Sequence, residues 1–280
     1  MTSMTSMTSL RETIDSAASF LRGRTDFQPE FGLILGTGLG GLADEIQPEL
    51  SIPFDEIPGF VKSTATSHAG QLILGTLGGR PVMAMQGRLH FYEGYSMQEI
   101  TLPVRVMRAM GCHSLIMSNA AGGMNPHFGA GEIVVVTDQI NLMGDNPLIG
   151  PNDDELGPRF PDMSEPYDRD SIERMMTVAR EIGAPVHKGV FVAVAGPNLE
   201  TAAEYRMLRQ MGADVVGMSL VPENLVAIHA GMKVVALSVI TDLCLPDALK
   251  PANVDEIIAV ANATEPTLRK LVVGFLESAV

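Results

Sequence analysis

The chain has 280 residues and a formal net charge of −14, from 19 basic and 33 acidic side chains. Nucleic acids are gripped by clustered Lys and Arg, so this balance argues against a DNA or RNA partner but leaves room for a small anion in a local pocket. With 46% hydrophobic and 19% charged residues the composition is globular, and no apolar run approaches the roughly 20 residues of a membrane-spanning helix, so no membrane partner is expected.

The polar repeat MTSMTSMTS opens the chain. It is too short and too hydrophilic for structure, and a flexible tail over 1–10 is expected, followed by one domain over 11–280. No charged-then-apolar secretory segment is visible there. A helix should follow the tail, because Ile14, Ala17, Ala18 and Leu21 make one apolar face. Short runs rich in Val, Ile and Leu then predict strands at Phe31–Leu35, Gln71–Leu77, Pro81–Gln86, Ser114–Ser118, Glu132–Thr137, Gly189–Ala195, Val215–Ser219 and Lys233–Thr241. Gly78-Gly79 joins two of them as a hairpin. Helical spacing recurs at Met97–Met110, Ser171–Ile182, Thr201–Met211, Pro222–His229 and Val254–Val273. Residues 141–168 form a long Pro-rich and acidic loop, and such loops are usually functional. The expected fold is α/β: a single domain with a central mixed β-sheet flanked by helices. Cys112 and Cys244 have neither disulfide nor metal spacing, and the histidines show no HxxxH or HxH pair. Reduced thiols, a cytoplasmic location and no protein-bound metal are expected.

Polar and glycine-rich clusters sit at the ends of these strands. Gly36-Thr37-Gly38-Leu39-Gly40-Gly41 fits the G-x-G-x-x-G pattern of a dinucleotide site, which would make the chain an NAD-dependent oxidoreductase. Pro48 breaks the helical pattern that such a site needs next, so a glycine-rich anion cradle with the Thr37 hydroxyl, or a plain strand exit, fits better. In Gly87–Gly94 an extended chain would turn Arg88, His90 and Tyr92 to one side: a fork for phosphate, a proton carrier and a cover for a sugar. A solvated edge strand is the plain alternative. Ser118–Gly123 ends a strand in small residues that leave room for a ligand or only make a turn. Glu200 reads either as an acid opening the next helix, favoured by its dipole, or as an acceptor aimed into a cleft. Ser219 reads as a helix cap or a second anion donor, and Met218 as core or as a ligand contact. Asp242 closes an apolar strand, either as a cap or as an acid whose pKa burial raises for work at a heterocycle. Together these clusters fall where open α/β sheets place ligands.

At this point ILGTGLGGLADEI, STATSHAG, QGRLHFYEGY, SNAAGGMNPHF, NPLIGPND, RFPDMS, VAGPNLETAAEYR and GADVVGMSLVPE resemble, in order, the motifs of the trimeric purine nucleoside phosphorylase family. The resemblance implies a homotrimer that splits purine (deoxy)ribonucleosides reversibly with phosphate, giving free purine and (deoxy)ribose 1-phosphate. No cofactor is implied, since inorganic phosphate is a co-substrate. It assigns phosphate to Thr37, His68, Arg88, His90, the Ala120 backbone and Ser219. It assigns the sugar to Tyr92, Met218 and a Phe160 donated by a neighbouring subunit, and the base to Leu199, Glu200, Val216 and Asp242. His90, Glu200 and Asp242 would be catalytic. Three positions depart from the family pattern. Asp242 stands where 6-oxopurine-specific members have Asn, Val254 where a His reaches the sugar 5′-hydroxyl, and Leu199 where an aromatic stacks. The first two resemble methylthioadenosine phosphorylases, the alternative reading. Glu200 and QGRLHFYEGY favour the purine nucleoside type, with 6-aminopurines also accepted. A catalytically silent nucleoside binder is disfavoured because Arg88, His90, Glu200 and Asp242 are all present.

Overall fold

Which edges of a nine-stranded sheet stay unpaired decides where a ligand can enter. A computed structural model describes residues 9–36, 40–64 and 69–279 of the chain. Its strands are β1 (Phe31–Leu35), β2 (Gln47–Pro53), β3 (Gln71–Leu77), β4 (Arg80–Gln86), β5 (Ser114–Gly123), β6 (Ile133–Leu142), β7 (Val186–Val194), β8 (Val215–Gly217) and β9 (Lys233–Leu243). Its helices are α1 (Leu10–Arg22), α2 (Met97–Met110), α3 (Arg169–Glu181), α4 (Ala202–Gln210), α5 (Val221–His229) and α6 (Val254–Glu277). The expected mixed sheet is present: β3 and β4 pair antiparallel across Gly78-Gly79, and β1 runs parallel to β4 and β5.

The sheet order is β2-β3-β4-β1-β5-β8-β7-β6-β9, and β9 also pairs with β5. The last five strands therefore close on themselves, removing the edges that an open sheet would expose. β5 is the hinge of this arrangement. Its first residues, Ser114–Met117, pair with β1, and its last, Gly122 and Gly123, pair with β8. On that side Ser118–Ala121 have neither partner, so the sheet splits there. Helices α1, α2 and α5 pack together, as do α3 and α6, and the buried Val, Ile, Leu and Met side chains of the strands meet them in one main core.

Several expectations change. Leu10 is already helical and Ser9 caps α1 in a reciprocal box with Glu12, so the expected tail gives up its last two residues; residues 1–8 lie outside the described residues. β2 was not foreseen. Pro48 does not break a helix but sits at a register shift in an edge strand, where a missing N–H costs little. Among the described residues after Gly36 no crossover helix appears: a short 3₁₀ turn, Gly40–Glu45, leads into β2, which runs antiparallel to β3. The dinucleotide reading loses its structural basis. Among the described residues no helix is long and apolar enough to cross a membrane.

Candidate active site

The split between β1 and β8 opens into a cavity of about 260 Å³. Gly36, Arg88, His90, Tyr92, Asn119 and Ala120 form one part of its wall, and Val216, Met218, Ser219 and Asp242 form another. Leu199, Thr241, Asp242 and Ile257 continue into a wider cleft of about 820 Å³ that also reaches Glu200 and Tyr205. One continuous groove thus runs from a guanidinium to two carboxyl groups.

Arg88 is 1% exposed. The solvated edge-strand reading is therefore wrong: this segment dives into the core. Its Nε donates to Glu223 Oε1 at 2.7 Å and its Nη1 to the Ser118 carbonyl at 2.7 Å. A buried cation needs such a partner, because its desolvation costs several kcal/mol. Gly36 makes the approach possible, since a Cβ there would collide with the Ser118 carbonyl and press on Arg88 Nη1. The chain is not extended beyond His90. It turns through a 3₁₀ segment, Phe91–Glu93, which stacks the Tyr92 ring on His90 with centroids 4.7 Å apart.

Glu93 organises this corner. Its Oε1 accepts from the His90 amide at 2.7 Å and lies 3.2 Å from His90 Nδ1, while Oε2 accepts from the Thr64 amide and hydroxyl at 2.6 Å each. Burial pushes the Glu93 carboxyl up, but these bonds outweigh it and hold the group below the usual carboxylate range. An ionised Glu93 fixes the imidazole plane at the cavity wall.

Ser219 is buried and its neighbour Leu220 has φ +74° and ψ −50°. The Val221 amide donates to the Ser219 carbonyl at 2.8 Å, which makes a tight γ-turn. Such a conformation costs on the order of 1–3 kcal/mol outside glycine and clusters at functional sites. Ser219 does not cap α5, because Leu220 occupies that position with no side-chain bond. Its hydroxyl is thereby kept for the cavity.

Glu200 does not open α4 either. Thr201 caps that helix, and the first-turn acid of the reciprocal box is Glu204. With the dipole served by Glu204, Glu200 precedes the cap and borders the cleft. Burial pushes its carboxyl above the usual range; a bond from Tyr205 opposes that shift, and the charges of Glu204 and Asp242 add to it. Asp242 lies within β9, which continues to Leu243, so it is no cap. Its Oδ1 accepts from the Thr241 hydroxyl at 2.9 Å and its Oδ2 from the Cys244 thiol at 3.2 Å.

Residues 30–277 match the family model described as the phosphorylase superfamily. The chain is 50% identical to purine nucleoside phosphorylase 1 of Bacillus subtilis over 94% of its own length and 97% of that protein. The chain belongs to the purine nucleoside phosphorylases of the phosphorylase superfamily. It is also 43% identical to the purine nucleoside phosphorylase of Mus musculus, covering 95% of each chain. The solved Schistosoma mansoni purine nucleoside phosphorylase in complex with adenosine superposes with a TM-score of 0.91 at 42% identity, covering 96% of this chain and 98% of that one.

Of the residues expected at the site, Arg88, His90, Tyr92, Ala120, Leu199, Val216, Met218, Ser219 and Asp242 line the inner cavity, and Glu200 lines the cleft joined to it. Met218 also seats against Gly196, where a Cβ would strike its sulfur. Thr37 and His68 lie outside the described residues. Phe160 is 87% exposed on the long loop, away from this cavity, with Arg159 over its ring. Val254 is 65% exposed at the start of α6, and Ile257, one turn on, lines the cavity in its stead. Sequence reasoning missed Glu93, Asn119, Tyr205, Glu223 and Cys244. Glu223 had only the signal of a first-turn acid, and Asn119 only its place beside the Ala120 already chosen.

Proposed function

We propose that this chain catalyses the reversible phosphorolysis of purine nucleosides, and that the groove binds phosphate, sugar and base in that order from Arg88 to Glu200. The observation that carries the reading is the arrangement of one continuous groove. A buried guanidinium, an oriented histidine, a strand edge and a serine hydroxyl stand at one end, and two carboxyl groups at the other. Tyr92 and Met218 flank the middle, where the sugar would lie.

The chemistry follows from charge. Breaking the glycosidic C–N bond builds positive charge on the sugar and negative charge on the purine. Phosphate held by Arg88, Ser219 and the β5 edge stabilises the sugar cation and captures the anomeric carbon as the bond opens, so no protein nucleophile is required. His90 helps hold that phosphate, its ring fixed by Glu93. The leaving base is stabilised by a hydrogen bond or proton at N7 from Asp242, and an ionised Glu200 accepts the N1–H of a 6-oxopurine. Asp242 also offers an acceptor to a 6-amino group, so both base classes fit.

Solved relatives from Schistosoma mansoni in complex with adenosine and with inosine support that breadth. Phosphorolysis of adenosine, methylthioadenosine, inosine and guanosine measured side by side tests it. Turnover of both adenosine and inosine is expected. Asp242→Asn should move the ratio of kcat/KM toward inosine by about ten-fold, the value of one hydrogen bond to a charged group. An unchanged ratio would place Asp242 away from the base. Preference for methylthioadenosine over all others would favour the methylthioadenosine phosphorylase alternative.

In a homotrimer the exposed Phe160 would close the sugar end of a neighbouring site; the support is an aromatic ring left in solvent, where apolar surface is costly. A cytoplasmic enzyme of purine salvage accords with Cys112 and Cys244, both buried and unbridged.

A further inference from the structure

The wide cleft at the base end holds about 820 Å³, against about 260 Å³ for the inner cavity that it joins. Glu200 and Asp242 both line this cleft, whereas Tyr92 and Met218, which flank the sugar position, line the inner cavity but not the cleft. The larger space therefore lies beside the base and not beside the sugar. Its wall is mostly apolar. Leu199 precedes Glu200 in the chain, Leu243, Leu245 and Leu249 follow Asp242, and Ile257 and Val260 come from the first turns of α6. Leu199, Leu243 and Leu249 are 47%, 42% and 40% exposed. One exposed leucine is ordinary, but three around a single cleft make an apolar surface that a ligand would cover. Lys250, Asn253 and Glu256 add a few polar groups. An apolar wall with few polar groups is the make-up of a small-molecule site. Phosphorolysis of a plain purine nucleoside, as set out above, makes no use of Leu243, Leu245 or Leu249.

We propose that this cleft takes an apolar substituent on the 6-amino group of the base, so that the enzyme also splits 6-alkylamino- and 6-aralkylaminopurine nucleosides. The inference rests on the reading that the two acids hold the base. In that reading Asp242 accepts from the 6-amino group and Glu200 lies toward N1. The chain that continues from Asp242 carries the cleft leucines, so the exocyclic amine is the group of the base that opens onto them. A secondary amine keeps one N–H, which is all that Asp242 needs as an acceptor. Its carbon substituent then leaves the ring on the N1 side, between the acids and over the leucines. N1 of a 6-aminopurine is itself an acceptor and takes no hydrogen bond from an ionised Glu200, so covering it forfeits none. The transfer balances as for the unsubstituted nucleoside. The glycosidic C–N bond breaks, a C–O bond to hydrogen phosphate forms, and the proton that hydrogen phosphate gives up ends on the free base. The substituent changes no bond and contributes by burying apolar surface. That burial is the same in substrate and transition state, so it acts on KM and not on kcat.

The test is phosphorolysis of adenosine, 6-benzylaminopurine riboside and inosine at saturating phosphate. The benzylamino compound should exceed adenosine in kcat/KM by about ten-fold, the scale on which one hydrophobic contact discriminates, with the gain in KM. Leu249→Asn should lower the ratio of the two by about ten-fold, and Leu249→Met, which keeps the apolar volume, should restore it. A parent ratio below about two-fold, or a ratio that Leu249→Asn leaves within about two-fold of the parent, would overturn the proposal. So would a gain seen with 5′-benzylthio-5′-deoxyadenosine and not with the benzylamino compound, because it would put the cleft at the sugar end. Inosine separates the two readings. If inosine is turned over and neither 6-amino compound is, Asp242 does not serve a 6-amino group, and the proposal falls together with that reading. If adenosine is turned over and the benzyl group adds nothing, the acids still hold the base and the assignment of the cleft alone fails.

Discussion

Arg88→Gln is expected to destabilise the fold by roughly 3–5 kcal/mol, the cost of removing one partner from a buried ion pair. Glu223 is as buried as Arg88, and their bond is 2.7 Å long. Without the guanidinium, Glu223 keeps its desolvation penalty and loses its charge partner, and the Ser118 carbonyl loses a donor. Urea unfolding at neutral pH reads the effect, and the folded fraction of the variant should need far more phosphate to reach half-maximal rate. A stability loss below about 1 kcal/mol is typical of exposed ion pairs; it would mean that water reaches Arg88 and that the wall described here is open.

The pair also shows where sequence stops being informative. Arg88 stood out because it follows a strand beside His90. Its partner lies 135 residues away in the first turn of α5, where any acid reads as a helix-dipole residue. Glu93 was hidden by its own motif, and Tyr205 and Cys244 by looking like core. By contrast α2 and β1 were legible to the residue: a run of apolar spacing, a Ser96–Glu99 box and a closing Gly111 bound the helix, and glycine ends the strand. β5 was read too short because Asn119–Gly123 carry small side chains, and only their pairing with β8 and β9 makes them strand. β2 was missed because it is an edge strand with two prolines and mostly exposed faces, so no alternation marks it. The gathering of polar clusters at strand ends was visible at once. The closing of five strands that produces the gap over Ser118–Ala121 depends on pairings between distant segments.

Glu200→Ala is expected to lower kcat/KM for inosine by about 10²–10³, the range seen when one fixed charge-stabilising partner is removed from an active site. Steady-state rates at saturating phosphate give the number. Stability should not fall in parallel. Burial raises the Glu200 pKa in the fold, so its contribution to stability is present below the unfolded carboxylate range and is lost as pH rises through the raised folded value. At neutral pH the ionised carboxylate is a burden that alanine removes. A variant with unchanged inosine kinetics would show that Glu200 stabilises no part of the reacting base. One that simply unfolds would show that the carboxyl serves the core.

Phosphate dependence tests the central claim most directly, because the groove is read as holding an oxyanion against the sugar. Inosine incubated with the chain should release hypoxanthine only when inorganic phosphate is present, with one ribose 1-phosphate formed per base released. Release of base at the same rate without phosphate, with free ribose as the product, would contradict the account.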